Sequence, residues 1–367
     1  MTAPLRGVWP ADLAAATLSG TLGQKSMKYL DQLARNEQWA AAAERTLEAQ
    51  AVVAWTQERQ RRVLARLVRR RTKAERREWR ERVARQERQA ARARAGLAGP
   101  AAAAVGSRRG PAVYWEQAGD GPALLLLNGW TAGGRVWPDA WLRTLQQHFR
   151  VIQLDTRGSG LSRTAPAPFT MGTLAKDARD VLKAAGAERA TVLGLSMGGM
   201  IAQELALRDP RMVERLVLVA TRPPAPAHLP AELDMTAGSL RRPREGQSLA
   251  EFYRALWAGY AAPGFPEREP ALIEELISQI VERPTPRAGV TNQLWAIACW
   301  HGAKRLGSLT VPTVVVHGDS DPLSPVGNGM RLARLIPQAR YVELAGIGHL
   351  VPLEAGDALV DVLLAGA

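Results

Sequence analysis

The sequence predicts an α/β protein, a mainly parallel sheet flanked by helices, with a long basic helical extension in front of it. Three observations carry this. From about residue 111 onward, short continuous apolar runs alternate with stretches of helical period, the pattern of β–α–β units whose strands are buried on both faces. Between Asn36 and Ala95 there is no Pro and no Gly, and Ala, Arg, Glu, Gln and Leu dominate, all strong helix formers. The charge is also divided: residues 1–110 carry 23 basic and 10 acidic side chains and residues 111–367 carry 25 of each, so the first segment holds the whole excess of +13.

The extension comes first in the chain. As one straight helix of ~60 residues it would span roughly 90 Å; a helical hairpin is the alternative. Trp39, Ala43, Leu47, Ala51 and Trp55 recur every four residues, and Val63, Leu64, Leu67 and Val68 share one helical face. Beyond Arg70 the stripe thins to Trp79 and Val83 among Arg and Glu. Residues 36–95 therefore suit packing on the rest of the chain or on a second copy in a homo-oligomer, or adhesion to an anionic membrane surface. Nucleic acid is disfavoured: Arg69, Arg70 and Arg71 could meet phosphates, but no recognised signature accompanies them and Glu75, Glu78, Glu81 and Glu87 interleave. Residues 96–111 read as a Gly/Pro/Ala linker or a poor first strand. Residues 1–20 lack the apolar stretch of a signal peptide and no run approaches the ~18 residues of a membrane span, so a cytoplasmic location is expected, with peripheral membrane contact as the variant.

In the neutral part, strands are expected at Ala112–Gln117, Ala123–Leu127, Val151–Leu154, Ala190–Leu193, Leu216–Ala220, Val311–Val316 and Tyr341–Leu344. Helices are expected at about 138–147, 173–186, 197–208, 327–335 and 354–365. In such sheets, chemistry collects in the loops at the carboxyl ends of the strands. One Cys (Cys299) excludes a disulfide framework, and the five His residues have no metal-site spacing; no metal or organic cofactor is expected.

Gly194-Leu195-Ser196-Met197-Gly198, followed by Gly199, lies between an apolar strand and a helix of good formers. A Ser in a sharp strand-to-helix turn needs neighbours without side chains, and the turn lifts its hydroxyl above the sheet. The Met197 N–H then stands at a helix N-terminus, where an oxyanion is favoured. A Gly-rich phosphate cradle or a tight packing turn is the competing reading. Two further loops follow strands: His317-Gly318-Asp319-Ser320-Asp321-Pro322, and Ala345-Gly346-Ile347-Gly348-His349-Leu350. The order Ser196, Asp321, His349 offers a nucleophile, a carboxylate and a base, and a Ser hydroxyl needs an imidazole whose tautomer a carboxylate fixes.

Across residues 111–367 the chain resembles the α/β-hydrolase superfamily. The likeness rests on LLLLNGW at 124–130, DTRGSGLS at 155–162, GLSMGG at 194–199, VVVHGDSDPLSP at 314–325 and GIGHLVPLE at 346–354. It is nearest to carboxylesterase-like, cofactor-free members such as the 3-oxoadipate enol-lactonase and aromatic-polyketide methylesterase groups. The resemblance implies Ser196 as nucleophile, His349 as general base then acid, and Asp321 as orienting carboxylate, with Asp319 as the alternative. It implies an oxyanion hole from the backbone N–H groups of Trp130 and Met197. The family has His-Gly-x where this chain has Asn128-Gly129-Trp130, which leaves the donor in place and puts the support of the loop in question.

The division expected is therefore 1–110 extension and linker, 111–220 first part of the hydrolase core, 221–308 helical cap, and 309–367 second part of the core. Cap helices are expected at Leu249–Tyr260, Glu269–Val281 and Val290–His301. Among the nearby aromatics, Trp137, Trp257 and Trp295 are candidate pocket walls. Arg157 is expected to brace its loop; His317 and His301 are read as structural, and Cys299 as a small buried hydrophobe. The reaction expected is hydrolysis of an ester or lactone of a small apolar substrate. Haloperoxidase, perhydrolase or carbon–carbon hydrolase chemistry with the same three residues stays open. So does an anchored interaction protein working through the extension. Ser196 argues against the Asp nucleophile of dehalogenases and epoxide hydrolases of this fold.

Overall fold

The computed structural model describes residues 113–162, 169–229, 241 and 243–365. The basic extension and every reading attached to it, oligomer and membrane contact included, lie outside the described residues. Seven strands form one sheet: β1 Trp115–Ala118, β2 Ala123–Leu127, β3 Arg150–Leu154, β4 Ala190–Leu195, β5 Val213–Val219, β6 Thr313–Gly318 and β7 Arg340–Leu344. Their order is β1-β3-β2-β4-β5-β6-β7. β1 runs antiparallel to β3, and every other pair is parallel. The expected α/β class and parallel sheet are what the chain forms.

The run Ala123–Leu127 is buried at every position because successive side chains go to opposite faces and both faces are covered. Leu125 and Leu127 join the cluster under the helices Met171–Ala184 and Met197–Arg208, with Val192, Ala202 and Leu205. Leu124 and Leu126 join the opposite cluster, with Trp141, Leu193, Val217 and Leu359, under the helices Asp139–Gln146 and Gly356–Leu364. Each such leucine stabilises the fold by about 1.5–3 kcal/mol relative to exposure.

Several boundaries differ from expectation. β1 is displaced to Trp115–Ala118 and ends against Gly119, where φ is +84° and a Cβ would lie 2.4 Å from the Phe149 carbonyl oxygen. β5 starts at Val213 rather than Leu216, and the buried Arg215 within it donates from its two Nη atoms to the Leu363 and Val362 carbonyls. The final helix is broken into Val351–Glu354 and Gly356–Leu364 at Ala355. The break frees the Glu354 carboxylate to accept from the Gly348, Leu350 and Ala262 N–H groups.

Between β5 and β6 lie the helices Leu249–Ala258, Phe265–Arg268, Pro270–Glu282 and Arg287–Ala298. The first opens on a capping box, with Ser248 accepting from the Glu251 N–H and Glu251 accepting from the Ser248 N–H. Tyr253, Trp257, Phe265, Ile273, Leu276 and Ile280 form a third cluster, which takes in Ala132 from the loop after β2 and Leu350 from the loop after β7. The inserted helices thus pack over the carboxyl ends of the strands. Among the described residues, no helix is long and apolar enough to cross a membrane.

Candidate active site

β4 delivers the chain into Ser196, which has φ 55° and ψ −117°, and the helix starts at Met197. A non-glycine residue held there costs of order 1–3 kcal/mol, so the surroundings must fix it. The Ser196 N–H bonds the Val219 carbonyl at 2.9 Å, and the Thr221 hydroxyl donates to the Ser196 carbonyl at 2.6 Å. A Cβ on Gly198 would lie 1.9 Å from the Leu127 carbonyl oxygen, so that residue can only be glycine. The Ser196 hydroxyl is not spent capping its helix, and Ser196 is half-buried between buried neighbours.

Past β6 the two aspartates separate. Asp321 is buried, and its Oδ1 accepts from the Leu323 and Ser324 N–H groups at 2.9 and 2.7 Å. Its Oδ2 lies 2.8 Å from His349 Nδ1 and 3.3 Å from His317 Nε2. Burial alone would raise this carboxyl, but the His349 and His317 rings outweigh it and hold Asp321 well below the usual carboxylate range. His317 is fully buried and its Nε2 donates to the Ser324 carbonyl at 2.8 Å, which ties down the turn carrying Asp321. Asp319 is exposed and accepts instead from the Gly346 N–H at 2.8 Å and the Ser320 hydroxyl at 2.9 Å. It joins two loops and makes no bond to His349.

His349 is buried and fastened on its backbone side, its N–H donating to the Tyr260 carbonyl at 2.9 Å. Glu354 bonds the N–H groups on either side of it. An ionised Asp321 makes His349 Nδ1 the N–H, leaving Nε2 as the lone-pair nitrogen.

The loop after β2 lies against Ser196: a Cβ on Gly129 would stand 3.4 Å from the Ser196 Cβ. Asn128 is wholly engaged with this loop. Its Nδ2 donates to the Gly133 and Val136 carbonyls at 3.1 and 2.7 Å, and its Oδ1 accepts from the Gly129 N–H at 2.8 Å. The departure from the family's histidine therefore supplies the loop's internal support. The Trp130 indole donates to the Val290 carbonyl at 3.0 Å. Thr131 follows with φ 69°, a genuine outlier for a β-branched residue. Asp155 pins the far end, accepting from the Gly134 and Leu161 N–H groups at 2.6 and 2.7 Å.

Arg157 braces its loop through Asp177 of the helix Met171–Ala184, with Nε 2.7 Å from the carboxylate. Trp137 is 1% exposed and packs with Trp141 at 5.5 Å in the core layer. Trp257 is buried in the inserted helices, 5.9 Å from Tyr260, whose ring stands 6.3 Å from that of His349. Trp295 is half-buried on the helix Arg287–Ala298, and Cys299 is half-buried rather than enclosed. Sequence reasoning missed Gln293, Thr285 and Glu354 around the site; all bond partners distant in the chain, and only burial in three dimensions marks them.

The alpha/beta hydrolase fold family matches residues 122–356. The chain belongs to this family. It is 32% identical over 257 residues to polyketide synthase ThaQ of Burkholderia thailandensis, a match spanning 67% of this chain and 12% of that protein. It is 30% identical over 263 residues to the pimeloyl-(acyl-carrier protein) methyl ester esterase of Pectobacterium atrosepticum, covering 70% of this chain and 98% of that one. The solved enol-lactonase of Burkholderia xenovorans LB400 superposes with a TM-score of 0.59 at 25% identity, over 69% of this chain and 95% of that chain. The superfamily likeness read from the motifs is thus established, and the chain is a hydrolase by family and relatives.

Proposed function

We propose that the protein is a serine hydrolase that cleaves a carboxylic ester or lactone of a small apolar substrate through an acyl-enzyme. The observation that carries this is the buried contact of 2.8 Å between Asp321 Oδ2 and His349 Nδ1. It leaves His349 Nε2 basic, beside a sheet end where Ser196 sits in a left-handed turn at a helix N-terminus. His349 takes the Ser196 proton as the Oγ attacks the ester carbonyl. The Met197 and Trp130 N–H groups receive the developing oxyanion; first-turn N–H groups have no partner within their own helix. His349 then protonates the leaving alcohol, and a water that it deprotonates releases the acid. Trp257 and Trp295, from the helices over the strand ends, stand as walls for the apolar part of the substrate; Trp137, enclosed in the core layer, is not one of them. The esterase and enol-lactonase relatives support an ester or lactone as substrate.

The test is hydrolysis of p-nitrophenyl esters of increasing acyl length, with Ser196→Ala alongside. Turnover that peaks at one chain length and disappears in the variant is expected. No turnover of any ester by the folded protein would turn the reading toward peracid or carbon–carbon bond chemistry.

A further inference from the structure

Three consecutive groups of the loop after β2 are held by one inserted helix and the residues leading into it. The Trp130 indole donates to the Val290 carbonyl at 3.0 Å. The Thr131 N–H donates to Gln293 Oε1 at 3.1 Å. The Thr131 carbonyl accepts from the Thr285 hydroxyl at 2.7 Å. Gln293 is fully buried, and its remaining donors go to the Arg157 carbonyl at 3.2 Å and the Ser159 hydroxyl at 3.3 Å. One amide thus spans the loops after β2 and β3. The helix that carries it is seated to the same end: a Cβ on Gly289 would lie 1.8 Å from the Gly158 carbonyl oxygen, so only glycine lets the helix approach so closely.

The residue gripped on both sides is Thr131, whose φ of 69° a β-branched side chain resists. Released, Thr131 would relax toward negative φ; the Trp130–Thr131 peptide would turn with it and displace Trp130, whose N–H lies in the adjoining peptide. The neighbouring Gly129 N–H is already taken by Asn128, and the Thr131 N–H is taken by Gln293. That leaves Trp130's N–H as the one among the three that points to no acceptor in the described residues.

We propose that Gln293, assisted by Thr285, is a positioning residue that holds Thr131 in its left-handed conformation and so aims the Trp130 N–H at the transition-state oxyanion. The helix Arg287–Ala298 is then part of the catalytic apparatus and not only a cover: the hole is complete only while this helix is seated. The inference rests on the serine-hydrolase reading above. A contact that matters only when charge develops on oxygen lowers kcat without changing ground-state binding.

The experiment measures kcat and KM for a p-nitrophenyl ester turned over by the full chain, by Gln293→Met, by Thr285→Val, and by Gln293→Met combined with Thr131→Gly. Circular dichroism and thermal unfolding report whether each folds. Gln293→Met is expected to lose about 10- to 100-fold in kcat, less than the roughly 10²- to 10³-fold for outright removal of one oxyanion donor because the N–H is misaimed and not lost, with KM changed less than about threefold. Thr285→Val is expected to lose less in the same sense. Glycine at 131 adopts positive φ without strain, so the double variant is expected to regain at least several-fold of the lost kcat. A folded Gln293→Met with wild-type kcat would overturn the proposal. So would a kcat loss that Thr131→Gly fails to relieve, because a general packing defect has no reason to respond to that change. If Gln293→Met does not fold, Thr285→Val with and without Thr131→Gly decides on the same criteria. Activity persisting in Ser196→Ala would instead bring down the underlying reading, and is read separately.

Discussion

Asp319 and Asp321 stand two positions apart in one loop, and their surroundings assign them different work. Asp321 is buried and meets His349; Asp319 is exposed and bonds Gly346 and Ser320. Asp321→Asn is expected to lower kcat by about 10⁴-fold, the scale seen when a triad carboxylate can no longer fix the imidazole tautomer. Asp319→Asn is expected to stay within about threefold, since only loop contacts change. Ester kinetics of the two variants check this, and equal losses would show that the loop as a whole matters and the individual carboxylate does not. The candidate residues were legible because each is announced by small or turn-forming neighbours after an apolar run. Gln293 and Glu354 were not, because what distinguishes them is a bond to a segment far away in the chain: 162 positions separate Gln293 from Thr131.

Strands buried on both faces announce themselves as continuous apolar runs, so β2, β4 and β6 fall close to their expected places. Edges and breaks were less legible. β7, at the sheet edge, is only partly buried along its length. The break at Ala355 is invisible to periodicity because it serves the Glu354 carboxylate and not the helix. The strand-to-helix turn at Ser196 shows the sequence rule at its strictest. Gly198→Ala would place a Cβ 1.9 Å from a backbone oxygen of β2, and no rotation of a side chain relieves it. Chemical denaturation is expected to show a loss of about 3 kcal/mol or more, or no folded protein. A stability within about 0.5 kcal/mol of wild type would contradict the packing described for this element.

At the scale of the molecule, folding buries a histidine that the proposed mechanism does not use. Burial, with Arg222, Arg331 and His301 around it, pushes His228 down to about 2. The folded chain therefore keeps His228 neutral, whereas the unfolded chain protonates it at about 6.5. Between these values the unfolded state binds the extra proton, so this residue's effect on stability is absent above about pH 6.5 and grows as the pH falls. Unfolding at pH 7.5 and 5.5 is expected to show a fall in stability about 1 kcal/mol larger for the wild type than for His228→Gln; parallel behaviour of the two would contradict it. The alternation of apolar runs and helical stretches made the α/β class legible, and the family match to residues 122–356 falls within the neutral part.

That Ser196 carries the acyl group is the step on which the proposed mechanism turns. It is tested most directly by the turnover of one p-nitrophenyl ester, at the acyl length the protein prefers, by wild type and Ser196→Ala at matched concentration and equal folded content. A fall of at least about 10⁴-fold in kcat is expected in the variant. Turnover in Ser196→Ala within tenfold of wild type would contradict it.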